Sequence, residues 1–307
     1  MQTLLVFGVD RTVGGNLVAT LSDRFQVAGV GQYPVEIEGC PTRCADLSTP
    51  AQVSRLIDKY SPNWVIYAGS LAGSSWDVPQ GDLSREPAIA AELVKAVAEV
   101  DARLTYVSTD AVFNGPRMFH REESSTVNAA GSPHAELAAA ALAVEQVLQD
   151  TPTLLVRTHA YGWSPRVESP EFAENLCQAL EDEQPAPISP LRYASPILAT
   201  DLAELLYQAW QEQLAGTLHI GGAERISSAR FARELAAALG LARPICESSS
   251  AAAMELSTET SLVSQRARQA LSTPMPMLLE GLERFAQQIE NGYRDRFQTL
   301  QEVAYAA

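Results

Sequence analysis

Along the first half of the chain, short apolar runs alternate with segments whose apolar positions recur every three or four residues. TLLVFG (3–8), FQVAGVG (25–31), NWVIYAG (63–69), RLTYVST (103–109) and TLLVRT (153–158) have the length and composition of buried strands. Between them, 13–25, 49–60, 87–100 and 134–149 carry the helical period. The second of these helices opens on Thr49 as a cap and Pro50 at its first position, where a missing N–H costs nothing. Strand and helix in regular alternation predict a parallel sheet covered on both faces.

After Tyr161 the rhythm changes. A helix is expected over 171–183, followed by a proline-rich stretch (185–196) and a helix over 200–213 capped by Thr200. A further strand is expected at 216–222, then a helix over 227–241 with serine caps and Gly240 near its end. From about residue 273 the pattern predicts one long amphipathic helix. The expected fold class is therefore α/β. Residues 1–162 form a Rossmann-like, doubly wound domain, to which the strand near 216–222 returns, and 163–307 mostly form a smaller, interleaved α/β substrate domain.

The 307 residues are enough to bury a sizeable core. A net charge of −15 repels phosphate backbones and anionic lipid, so neither nucleic acid nor a membrane is an expected partner. An anionic small ligand would need a local trap such as a helix N-terminus. The first apolar run reads as a buried strand rather than a leader, and no run approaches the ~18 residues of a membrane span. Cys40 and Cys44 stand four apart in CPTRC, but no second Cys or His pair completes a metal site, so no metal is expected. A reducing cytoplasm is the expected setting.

FGVDRTVGG (7–15) lies between the first strand and the first helix, where a dinucleotide-binding fold places its glycine-rich turn. Gly8 and Gly14 hold the outer positions of a GxxGxxG pattern, and Arg11 takes the middle one. Its side chain either pairs with a pyrophosphate or fills the space that a pyrophosphate would need. Thr12 and Val13 complete the turn, and Ala68 and Gly69, ending the third strand, face the same crevice. Asp46 either reaches an adenine or caps the helix that follows. No basic residue after the second strand meets a 2′-phosphate, so NAD(P) is a candidate cofactor with its phosphorylation state unread.

RLTYVSTDAVFNGPRMFHREE (103–123) resembles the fourth-strand region of the dTDP-4-dehydrorhamnose reductase family, extended short-chain dehydrogenases/reductases that bind sugar nucleotides. LLVRTHAYG (154–162), SPILATDLAELL (195–206), GTLHIGGAERISSARFARELAAALGL (216–241) and TSLVSQRARQAL (260–271) are similar to later segments of the same family, in the same order. The resemblance implies a hydroxyl residue at the end of strand four working with a Tyr-x-x-x-Lys pair on the next helix. The tyrosine protonates the carbonyl while the nicotinamide delivers hydride. Ser108, Thr109 and Asp110 stand as the family has them.

The pair itself is missing. Its slots fall on Ala130 and His134, or on Leu137 and Ala141. No tyrosine lies between Tyr106 and Tyr161, and no lysine follows Lys95. His134 and Tyr161 are the candidate substitute proton donors, with His159 in the same loop. The leading expectation is a reductase-like protein that binds a nucleotide, a nucleotide-sugar or a protein partner without standard redox turnover. The alternatives are an active NAD(P)H-dependent keto sugar nucleotide reductase with another proton donor, and a non-redox enzyme on the same scaffold. A homo-oligomer is a further expected form.

Overall fold

Leu4 and Val6 face one side of the first strand, Leu5 and Phe7 the other, and all four are fully buried. A strand apolar on both faces belongs inside a sheet covered twice over. The computed structural model describes residues 1–78, 81–115, 117–125, 134–242, 244–246 and 258–299. Its main sheet consists of β1 (Thr3–Phe7), β2 (Gln26–Gly31), β3 (Thr42–Cys44), β4 (Trp64–Tyr67), β5 (Arg103–Thr109), β6 (Leu154–Thr158) and β7 (Gly216–His219). They run parallel in the order β7–β6–β5–β4–β1–β2–β3. The order reverses at β1, and the crevice at that switch point, outside the carboxyl ends of β1 and β4, is where such sheets bind ligands.

Helices α1 (Thr12–Leu21) and α6 (Ala199–Gln211) bury Leu17, Val18, Leu202 and Leu206 in the core on the Leu4 side. Helices α2 (Pro50–Tyr60), α3 (Glu86–Glu99) and α4 (Ala135–Leu148) cover the Leu5 side with Leu56, Leu93 and Val144. The remaining helices, α5 (Phe172–Glu181), α7 (Ser228–Ala238), α8 (Gln265–Leu271) and α9 (Leu278–Glu290), accompany a small sheet. In that sheet Arg192–Ala194 pairs with Ile226–Ser227 and Thr258–Glu259. No helix among the described residues is long and apolar enough to cross a membrane.

Ser227 caps α7 by accepting from the Arg230 N–H at 3.2 Å, and Gly240 follows it with φ +66°, as the sequence predicts. Three expectations change. The tail is not one long helix. α9 ends at Asn291, Gly292 takes φ +65°, and Phe297–Thr299 turns back to pair antiparallel with Val35–Ile37. Thr200 is inside α6, which starts at Ala199, and Thr49 makes no side-chain cap. The edge strand β3 is short and polar, so it carries no apolar signature in the sequence. It ends on the exposed Cys44, whereas the buried Cys40 donates to the Val27 carbonyl and burial pushes its thiol up to about 12.

The largest buried side chain, Trp64, donates its indole N–H to Thr105 Oγ1 at 3.0 Å and stacks on Trp210, with Phe25 at its edge. Trp64→Ala is expected to lower the unfolding free energy by about 3–5 kcal/mol. A urea denaturation showing a loss below about 1 kcal/mol would mean that this cluster is not the main core.

Candidate functional site

Gly8 turns with φ +84° and its N–H bonds the Val30 carbonyl at 2.8 Å. A Cβ there would sit 2.0 Å from the Ala68 oxygen, and one on Gly14 would sit 2.2 Å from the Gly8 oxygen. The close approach of β1, β4 and α1 therefore requires both glycines, whatever the crevice binds. Ala68 and Gly69 press against Gly8 from the end of β4, and Val13 is buried in the first turn of α1. Arg11 is the N-cap residue, and its guanidinium reaches the Ser70 hydroxyl at 3.4 Å, across the mouth of the crevice. Asp46 accepts from the Ser48 N–H, the Ser48 hydroxyl and the Thr49 hydroxyl, which hold its carboxyl below the usual range. It closes the turn that leads into α2.

Thr12 is buried, and its hydroxyl lies beside the Glu171 carboxyl. Its N–H points at Oε1 of Glu171, 3.5 Å away. Glu171 is half-buried, and burial together with the charge of Asp77 pushes its carboxyl up. Asp77 in turn accepts from the Ser74 N–H and hydroxyl and from the Phe172 N–H at 2.7 Å. It ties the loop after β4 to the start of α5. Gly162 packs on the Thr12 methyl and the Asn16 amide, while Pro165 lies against Gly15, so the chain after β6 runs directly over the N-terminal half of α1.

At the end of β5, Asp110 is fully buried. Its carboxylate accepts from the Ser75 N–H at 2.9 Å, the Ser75 hydroxyl at 2.8 Å and the Thr260 hydroxyl, and faces Nδ1 of His159 at 2.8 Å. Burial alone would raise its pKa, but His159 and these hydrogen bonds outweigh it and hold the carboxyl below its usual range. Arg192 donates to the Ser75 carbonyl at 2.9 Å and encloses the cluster. Thr109 spends its hydroxyl on the Ala111 N–H, and the Ser108 hydroxyl is buried with no partner among the described residues.

The candidate proton donors separate. His134 immediately precedes α4, is buried, and is pushed down to about 4 by burial and the nearby Arg192, so it is neutral at pH 7. Tyr161 is turned away, its ring between Phe231 and Phe285 and its hydroxyl against Gly281 of α9. Burial and Asp201 push its pKa far up, so a proton donor at Tyr161 is not what this geometry offers. Leu137 and Ala141, the alternative slots for the missing pair, are buried apolar positions of α4, and Ala130 lies outside the described residues.

Ser75, Asp77, Glu171, Arg192 and Thr260 escape sequence reasoning because they come together from segments far apart in the chain, and although Thr260 opens the family-like stretch 260–271, nothing there marks its contact with Asp110. Between Trp76, Asp77, His159, Glu171, Phe172 and Phe231 only about 10 Å³ is left, which is about one water. A groove of about 320 Å³ opens beside it, walled by Trp76, Pro170, Phe172, Leu176, Pro187 and Ile188. The Trp76 indole N–H is buried there with no partner among the described residues.

Two stability outcomes follow. Gly8→Ala, forced into positive φ against the Ala68 oxygen, is expected to cost more than about 2 kcal/mol in thermal or urea unfolding. An Ala variant as stable as the parent would show that the turn is not held this tightly. Asp110→Ala leaves His159, Ser75 and Thr260 without their acceptor and is expected to cost about 3–5 kcal/mol. Because the folded pKa of Asp110 is depressed, its contribution is present above the usual carboxylate range and fades as the pH drops through the folded value. The gap between parent and Asp110→Ala should thus narrow in acid, and a gap independent of pH would contradict the assignment.

The comparisons agree with this architecture. The model of the RmlD substrate-binding domain matches residues 1–291. A hypothetical dTDP-4-dehydrorhamnose reductase from Sulfolobus tokodaii is 23% identical, with a TM-score of 0.73 over 92% of this chain and 99% of that one. The NADP complex of dTDP-4-dehydrorhamnose reductase from Bacillus anthracis is 18% identical, with a TM-score of 0.75 over 94% and 99%. The NAD complex of dTDP-glucose 4,6-dehydratase from Bacillus anthracis is 12% identical, with a TM-score of 0.74 over 95% and 97%. No curated protein sequence matches the chain. With the fold shared along nearly its whole length and the family model matched from the first strand to the end of α9, this chain belongs to the RmlD substrate-binding-domain family, that of the dTDP-4-dehydrorhamnose reductases.

Proposed function

We propose that the protein is a dTDP-4-dehydrorhamnose reductase-like protein that binds a nucleotide-sugar without nicotinamide-dependent turnover. The observation that carries this reading is the commitment of Asp110. Its carboxylate is saturated by Ser75, Thr260 and His159 inside a closed cluster, at the strand end where the family's hydroxyl residue meets its substrate. No tyrosine and lysine stand beside it, and His134 is neutral. Proton delivery to a carbonyl needs a donor held within reach of the reacting atom, and His159, the imidazole nearest this strand end, is turned onto the Asp110 carboxylate.

The groove beside Trp76 supports the ligand class. Aromatic and proline walls give a sugar ring an apolar face to rest on. The division into a binding domain (1–162) and a smaller substrate domain (163–307) is part of the same proposal. The strand Gly216–His219, paired with β6, links the two.

Incubation with NADH or NADPH and a 4-keto sugar nucleotide is expected to leave the nicotinamide absorbance unchanged. A dTDP-sugar alone is expected to raise the melting temperature, by mass action worth roughly 2.7 kcal/mol at a hundredfold excess over Kd. Turnover that disappears on His134→Ala would overturn the proposal in favour of an active reductase with a substitute donor. A dTDP-sugar that leaves the melting temperature unmoved would remove the ligand class.

A further inference from the structure

We propose that Glu171 takes the place of a dinucleotide's pyrophosphate at the N-terminus of α1, so that the family's cofactor site is closed from within by the chain's own carboxylate. This goes beyond the function proposed above, which concerns turnover and the sugar-nucleotide ligand rather than the anion site.

Three observations meet at this point. First, the cradle is intact: Gly8 and Gly14 allow the close approach of turn and helix, and the first turn of α1 carries no acidic residue of its own. A helix N-terminus of this kind holds an anion. Second, an anionic group is already there. Oε1 of Glu171 faces the Thr12 N–H at 3.5 Å, and the buried Thr12 hydroxyl lies beside the same carboxyl. Third, Glu171 is held in position. The next residue, Phe172, donates its N–H to Asp77, which is fixed by Ser74, and the rings of Phe172 and Trp76 lie 5.0 Å apart. Beside the carboxylate, the space left among Trp76, Asp77, His159, Phe172 and Phe231 is only about 10 Å³.

The arrangement explains how the middle glycine of the fingerprint could be replaced by Arg11. With no pyrophosphate to accommodate, a side chain at that position meets no ligand. Its guanidinium contributes positive charge beside Glu171 and crosses to Ser70. Two charged groups act on the Glu171 carboxyl, Asp77 from the loop after β4 and Arg11 from the head of α1; together with burial they leave its pKa up at about 7. A phosphate arriving at the same amide would meet a second negative charge whenever Glu171 is ionised. Neutral Glu171 would oppose it only by its bulk.

The test is binding of NAD⁺, whose diester phosphates do not titrate near neutrality, to the full chain and to Glu171→Ala and Glu171→Gln, by calorimetry at pH 6 and pH 8. The parent is expected to bind weakly or not at all at pH 8 and better at pH 6. Both variants are expected to bind at least about tenfold more tightly than the parent at pH 8, because one opposing buried charge is gone. Glu171→Gln keeps the size of the side chain, so it decides the outcome should the Ala variant unfold, and its affinity is expected to be the same at the two pH values. Tight binding of NAD⁺ by the parent at pH 8, or variants no better than the parent, would overturn the proposal. Tight binding without turnover would do so while leaving the non-redox reading intact, so the two failures are told apart.

Discussion

The buried carboxylate of Asp110 is the constraint around which the upper part of the molecule is arranged. A fully enclosed charge is tolerated only when its oxygens are satisfied, and here the partners arrive from three directions. Ser75 comes from the loop after β4, His159 from the end of β6, and Thr260 from just after the Thr258–Glu259 strand of the small sheet. Each of these segments is thereby pinned to the end of β5. Arg192 adds a further link by bonding the Ser75 carbonyl. The carboxylate joins the main sheet to the small sheet much as a core side chain joins two helices, but with directional bonds.

That use of Asp110 shapes the crevice at the switch point. Pinning Ser75 fixes the loop that carries Trp76 and Asp77, and Asp77 captures the Phe172 N–H at the start of α5. The start of α5 then lies across the head of α1, with Glu171 at the Thr12 amide. The proposed closure thus rests on a chain of hydrogen bonds rather than on one bulky side chain. What stays open is the neighbouring groove, bounded by aromatic and proline side chains.

Much of the fold is legible in the residues. The apolar runs of β1, β2, β4, β5 and β6 are continuous because both faces are buried, and that pattern survives any tertiary detail. Helices α2, α3 and α7 lie where they are expected because their apolar stripes extend over several turns. Illegible are the elements whose existence depends on a neighbour. Edge strand β3 is polar, and Phe297–Thr299 is a strand only because Val35–Ile37 offers it a backbone edge. The tail reads as one long helix because Gly292 still fits a helical period until its positive φ ends it.

By itself, the sequence determined the doubly wound sheet, the position of the glycine turn and the loss of the tyrosine–lysine pair, since periodicity, turn chemistry and the absence of a residue type are local properties. It also brought Gly8, Arg11, Thr109 and His134 into consideration, but not what each one touches. Only the tertiary structure decided that Tyr161 faces α9, that Asp46 closes a helix turn, and that Asp110, Ser75, His159 and Thr260 form one cluster. The position of Glu171 against α1 belongs with these, since 159 residues separate it from Thr12 along the chain. Contacts of that span are set by how the layers pack, and no window of sequence contains both partners.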